Sequence, residues 1–76
     1  MAREQRIEIL AEMVANVLVV EVAVGDIVDI GDTVVLLESM KMEIPVMAEV
    51  AGTVTAVKVA AGDVVQEGDP LVELTS

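Results

Sequence analysis

The sequence predicts an all-β domain, a sandwich or barrel of eight short strands, and three observations carry that expectation. Valine dominates an apolar fraction of 55% that contains no Phe, Tyr or Trp, and β-branched residues suit pleated strands better than helices. The chain is also written twice. At an offset of 37 residues, IEILAEMVANVLVVEVAVGDIVDIGDTVVLL (Ile7 to Leu37) lies over IPVMAEVAGTVTAVKVAAGDVVQEGDPLVEL (Ile44 to Leu74), with fourteen of 31 aligned pairs identical. Finally, four Gly-Asp pairs stand in register, at Gly25-Asp26, Gly31-Asp32, Gly62-Asp63 and Gly68-Asp69. They divide the apolar runs at the spacing of turns between short strands.

Residues 1–6 are polar and unpatterned, and are expected to fray. The domain proper then runs over 7–76, as repeats 7–37 and 44–74 joined by residues 38–43. In the first repeat, strands are expected near Ile7 to Leu10, Asn16 to Ala23, Ile27 to Asp29 and Thr33 to Glu38. In the second they are expected near Ile44 to Met47, Thr53 to Ala60, Val64 to Gln66 and Leu71 to Thr75. Each Gly-Asp reads as a turn, because glycine reaches positive φ freely and an Asp side chain bonds nearby backbone. Pro70 fits a strand start, and Pro45 fits an edge strand, where a missing N–H is tolerated. Neither repeat can cover both faces of a sheet by itself, so the two halves are expected to pack face to face with approximate two-fold symmetry.

Seventy-six residues make one small domain. The formal charge of −10, from fourteen acids and four bases, excludes the clustered cations needed to bind nucleic acid or an anionic membrane. Disordered chains combine such charge with low hydrophobicity, whereas the mean hydropathy here is strongly positive. With no Cys and no His, the chain lacks disulfides, thiol nucleophiles and imidazole acid–base chemistry. No apolar stretch is long enough to span a bilayer and MAREQRIE is unlike a signal peptide, so a cytoplasmic protein is expected. The spacing of Asp26, Asp29 and Asp32 invites comparison with calcium loops, but Gln66 takes the place of the middle acid in the second repeat. Turn chemistry accounts for these residues better than a metal does.

What remains between the repeats is ESMKME, residues 38–43, with Lys41 between Met40 and Met42. If the flanking strands pair antiparallel, this segment is a hairpin tip whose two central residues are Met and Lys instead of the usual Asn-Gly. Such residues are held at positive φ mostly where a site requires it. The plain alternative is a solvated lysine beside Glu38 and Glu43. The flanking methionines weigh against that, since flexible apolar side chains exposed on a tip suit contact with partners. Lys58 is the internal control: it lies between Val57 and Val59, opposite Glu21 in the repeat, and reads as an ordinary solvent-facing strand residue.

At ESMKME the sequence resembles the biotinyl domains of biotin-dependent carboxylases, which carry Glu-Ala-Met-Lys-Met or Glu-Ser-Met-Lys-Met. The likeness extends over Ile7 to Leu74, through the Gly-Asp turns and through Met13, Gly52 and Val54, and it is strongest to small stand-alone biotin attachment proteins. It implies a flattened barrel of two four-stranded antiparallel sheets. It also implies covalent biotin on Lys41, with Met40 and Met42 as recognition neighbours, and no catalytic or metal site in the chain itself. Biotin protein ligase would be the modifying partner. A biotin carboxylase and a carboxyltransferase would be the partners between which a monomeric carrier shuttles carboxybiotin. A lysine amine is almost wholly protonated at neutral pH, so the ligase has to orient and deprotonate it.

This chain departs from the family pattern at Ala11-Glu12-Met13-Val14-Ala15, where Ala-Pro-Met-Pro-Gly is frequent, and at Ala48-Glu49, where Ala-Pro is frequent. The protruding loop of some bacterial carriers has no room between Asn16 and Gly25. The competing reading, the lipoyl domain, shares the fold and the hairpin lysine but usually presents Asp-Lys-Ala, and Met-Lys-Met favours biotin. Two other readings stay open: a lipoate carrier, and an unmodified β-barrel interaction module that docks partners through Met40 and Met42.

Overall fold

The structure is a computed structural model that describes residues 5–76. Eight strands occur in the expected order: β1 (Arg6–Leu10), β2 (Ala15–Val20), β3 (Ile27–Val28), β4 (Thr33–Ser39), β5 (Met42–Met47), β6 (Gly52–Val57), β7 (Val64–Val65) and β8 (Pro70–Thr75). β1 takes in Arg6, which the sequence assigned to the frayed segment, and the Gln5 carbonyl accepts from the Ser76 N–H at 3.0 Å. The rest of that segment, residues 1–4, lies outside the described residues.

Two four-stranded sheets form, in the orders β1-β8-β6-β3 and β5-β4-β2-β7, and every pairing is antiparallel. A shift of 37 residues converts one order into the other, which is the two-fold symmetry of the repeat. The halves do not, however, pack face to face. Each sheet takes two strands from each repeat. Within a repeat only β2–β4 or β6–β8 pair, and a two-stranded ribbon is marginal in water. Exchanging the outer strands turns two ribbons into two four-stranded sheets that cover one another.

The exchange also explains why β2 and β6 stop short of Ala23 and Ala60. The Glu21 N–H still reaches the Val34 carbonyl at 2.9 Å, but Gly25 donates to Val54 of the opposite sheet at 2.8 Å, and Val54 donates back to Asp26 at 2.8 Å. The chain has crossed between layers. The second repeat does the same where Gly62 donates to Val17 and Val17 donates to Asp63, both at 2.8 Å.

At all four Gly-Asp sites the Asp N–H donates to the carbonyl three residues back, at 3.0–3.1 Å. The carboxylate accepts the N–H of that same residue, at 2.9 Å in each case. Gly25 and its three equivalents have φ of 91–98°, the glycine position of a type II turn.

Thirteen buried apolar residues form the core. Twelve are pseudo-equivalent pairs: Ala11 and Ala48, Val17 and Val54, Val28 and Val65, Val34 and Leu71, Val35 and Val72, Leu37 and Leu74. The thirteenth, Ala15, has Gly52 as its equivalent, and there the spaces differ: a Cβ on Gly52 would stand 2.9 Å from the Thr75 carbonyl oxygen. The repeat therefore encodes the core, including the adjacent pairs Val34–Val35 and Leu71–Val72, which are all buried where pairing with β5 and β1 shifts register and alternation is interrupted.

Candidate functional site

β4 and β5 pair along six rungs, ending at Glu38 opposite Glu43 and Ser39 opposite Met42. Two residues remain to turn the chain, and both take the left-handed region: Met40 at φ 53° and Lys41 at φ 66°. This is the primed turn whose twist matches the strands it joins. Among the described residues these two are the non-glycine residues at positive φ. Left-handed backbone costs a residue bearing Cβ about 1–2 kcal/mol, and the ladder on both sides holds the turn in that geometry.

The tip projects all three side chains of interest into solvent. Met40 is 91% exposed, Met42 is 64% exposed, and Lys41 is exposed between them. Both methionines are thus uncovered, which is more than the sequence required. Lys41 makes no ion pair with the described residues, so Glu38 and Glu43 do not neutralise it by contact. They face each other across the rung beneath the tip, with Asn16 beside Glu38 and Val64 beside Asn16. This acidic rung is a feature that repeat analysis passes over, because residues 38–43 lie outside the aligned segments.

Lys58 behaves otherwise. It follows the end of β6, its N–H donates to the Leu71 carbonyl at 2.8 Å, and half-buried Val57 and Val59 flank it. Its side chain is exposed, as expected, but it lies on the scaffold and away from the turn. The Asp residues of the four turns are engaged by backbone N–H groups.

A groove of about 1080 Å³ lies between the edges β1 and β5, lined by Ile7, Ile9, Ile44 and Val46 among others, and the hairpin tip is not part of it. The Lys41 amine is therefore presented at an end and not enclosed in a cavity. Chemically, the tip offers one exposed primary amine that can be acylated, on a turn fixed by strand pairing, with apolar side chains on both sides. A group joined to it would extend away from the domain.

The family model described as "Biotin-requiring enzyme" matches residues 7–74. The chain is 65% identical over 37 residues to the biotinylated protein TB7.3 of Mycobacterium tuberculosis, a match covering 49% of this chain and 52% of that protein. Its homolog in Mycolicibacterium smegmatis is 67% identical over 37 residues, with the same coverage. The matched segment thus spans about half the length of these curated relatives. Among solved structures, a single-chain, multi-domain long-chain acyl-CoA carboxylase is similar with a TM-score of 0.87 and 33% identity, over 92% of this chain and 7% of that one. The urea carboxylase of Kluyveromyces lactis is similar with a TM-score of 0.86 and 30% identity, over 97% of this chain and 6% of that one.

Proposed function

Because this chain belongs to the family described as "Biotin-requiring enzyme", matched over residues 7–74, we propose that it is a biotin carrier domain with Lys41 as the acylated residue. The observation that carries the reading is the turn itself. The one segment without a duplicate is a strained two-residue hairpin that exposes a lysine between two methionines, in a chain similar to proteins named for being biotinylated.

The residues divide the task. The β4–β5 ladder fixes where the amine is, and the left-handed turn projects it beyond the end of the sheets. Orientation of this kind lowers the entropic barrier to acylation once a ligase is bound. The ligase supplies the base, since the domain has no group at the tip suited to remove the proton. With an activated biotinyl carboxyl, here the adenylate, Nζ of the neutral amine forms the amide bond. The bond from the carboxyl carbon to AMP breaks, and one proton leaves with AMP as the other product.

Biotin, when bound, supplies a ring nitrogen that takes up and gives away CO2. The chain's own contribution is to bring the tethered group to two active sites in turn, a carboxylase and a carboxyltransferase, at high effective concentration. Similarity to segments of two carboxylases supports that assignment of partners. A cytoplasmic setting and a monomeric carrier belong to the same reading.

Intact-mass measurement tests it. Protein made in cells with an active biotin ligase gains one biotin increment, and Lys41→Arg abolishes it. A lipoyl increment, or none, on the unaltered chain refutes the proposal.

A further inference from the structure

The internal repeat provides its own control at the edges of the sheets. Four strands are edges: β1 and β3 of one sheet, β5 and β7 of the other. An edge with free donors and acceptors invites another strand, and proteins blunt it by shortness or by proline. β3 and β7 are two residues each. β5 carries Pro45, paired with Leu36, and the equivalent residue on β1 is Glu8, paired with Glu73. β1 is therefore the long edge that neither device protects.

The ladder fixes where the open backbone groups of β1 point. The Gln5 carbonyl accepts from Ser76, and Ala11 donates to Asp69 and accepts from Gly68, all on the β8 side. Bonded and unbonded rungs alternate in an antiparallel pair, so the bonded rungs between them are Ile7 with Leu74 and Ile9 with Val72. The N–H and C=O groups of Arg6, Glu8 and Leu10 then point away from β8, on the side of the groove. No strand pairs with them, since β1 and β5 belong to different sheets. At the equivalent place on β5, Pro45 offers a carbonyl and no N–H.

Side chains decide what suits this edge. Ile7 and Ile9 line the groove from β1, Ile44 and Val46 line it from β5, and all four are only half-buried. The charged residues that line it are Glu8, Glu12, Glu49 and Glu67, each exposed, with no Lys or Arg among them. Arg6, at the start of β1, stands outside the groove and 3.6 Å from Glu73.

We propose that the open edge of β1 is a docking site for an extended segment of a partner protein in which apolar residues alternate with lysine or arginine. Such a segment adds a strand to the sheet through Arg6, Glu8 and Leu10. Its apolar side chains cover Ile7 and Ile9, and its cations stand beside the four carboxylates. Unpaired backbone, apolar floor and acidic rim are each answered by one part of that pattern. A second copy of this chain, with fourteen acids and four bases, brings like charge to the rim instead. The hairpin tip is not part of the groove, so the site is separate from Lys41 and goes beyond the carrier reading.

The probe is a short capped peptide of alternating valine and lysine, titrated into the whole chain. Calorimetry measures binding, and solvent exchange of single amides by NMR locates it. Exchange is expected to slow about tenfold at Arg6, Glu8 and Leu10 and to stay unchanged at Lys41. Serine in place of valine, glutamate in place of lysine, or backbone N-methylation should each weaken binding about tenfold. Glu8→Pro, which copies Pro45, should weaken it as much, while Glu8→Gln keeps the N–H and should weaken it only about threefold. Urea midpoints establish that the variants are folded, and the N-methylated peptide carries the test of edge pairing if Glu8→Pro is not. Absence of binding, protection confined to other strands, or equal binding of the serine or N-methylated peptide overturns the inference. Self-association of the free chain that Glu8→Pro abolishes assigns the edge to a second copy and overturns it too. None of these results alters the biotin increment, so the carrier reading stands or falls separately.

Discussion

Ser39 and Met42 face each other on the last rung of the β4–β5 ladder, and the two residues between them, Met40 and Lys41, both turn left-handed. The equivalent rung at the other end of the pseudo-two-fold is formed by the chain termini, where Ser76 donates to Gln5 at 3.0 Å. The hairpin tip and the paired termini thus occupy the same place in the two halves.

The left-handed turn predicts a stabilising substitution. Met40→Asn places a residue that tolerates positive φ at the first turn position, and it should raise stability by about 1 kcal/mol. Urea denaturation measures this, and an unchanged midpoint would show that the turn carries no strain. The Met40 side chain, at 91% exposure, has little packing to lose.

Lys58→Arg should leave the biotin increment in place. Lys58 is exposed like Lys41, so accessibility alone does not separate them; position on the tip does. Intact mass of that variant, expressed with ligase, checks the distinction directly.

Leu37 and Leu74 are equivalent in sequence and are 1% and 0% exposed. Truncating either to Ala should destabilise the domain by about 2–5 kcal/mol, and the two losses should agree with each other within about 1 kcal/mol. For a domain of this size that is enough to unfold a large fraction, as thermal denaturation would report. A large inequality would mean that the halves do not share the core evenly.

Gly52→Ala should destabilise by about 1–3 kcal/mol, because its Cβ meets the Thr75 backbone at 2.9 Å and backbone gives way poorly. The converse change in the first repeat, Ala15→Gly, should lose about 1 kcal/mol through chain entropy and the vacated contact. A stability measurement that found Gly52→Ala neutral would show that β6 and β8 can part without loss.

Asp63→Ala removes the carboxylate that accepts the Ala60 N–H at 2.9 Å. A loss of about 1 kcal/mol is expected, as for other exposed side-chain to backbone bonds. The same substitution at Asp26 should have a similar effect, since the turn geometry is repeated.

Much of this was legible in the residues. The four Gly-Asp turns, the eight strands, the edge position of Pro45 and the isolation of ESMKME all follow from local chemistry and repetition, which act over a few residues. The missed features are relational. Face-to-face halves were expected, yet the strands interleave, because β1 and β8 are strand-like in themselves and no local signal names their partners. The extra length given to β2 and β6 had the same origin: Val22 and Ala23 look like strand, but they lie where the chain leaves one sheet for the other. The acidic rung of Glu38 and Glu43, and the open edge of β1, depend on how different strands pair, so they appear only once register is set.

The sequence by itself determined the fold class, the duplication and the lysine, because hydrophobic alternation, turn chemistry and internal identity are properties of neighbouring residues. Only the tertiary structure decided which strands are partners, that Met40 and Lys41 are both left-handed, and that two sheets with matching cores differ at their edges. Pairing is settled by burying both inner faces at once, a condition on the whole chain that no short stretch contains.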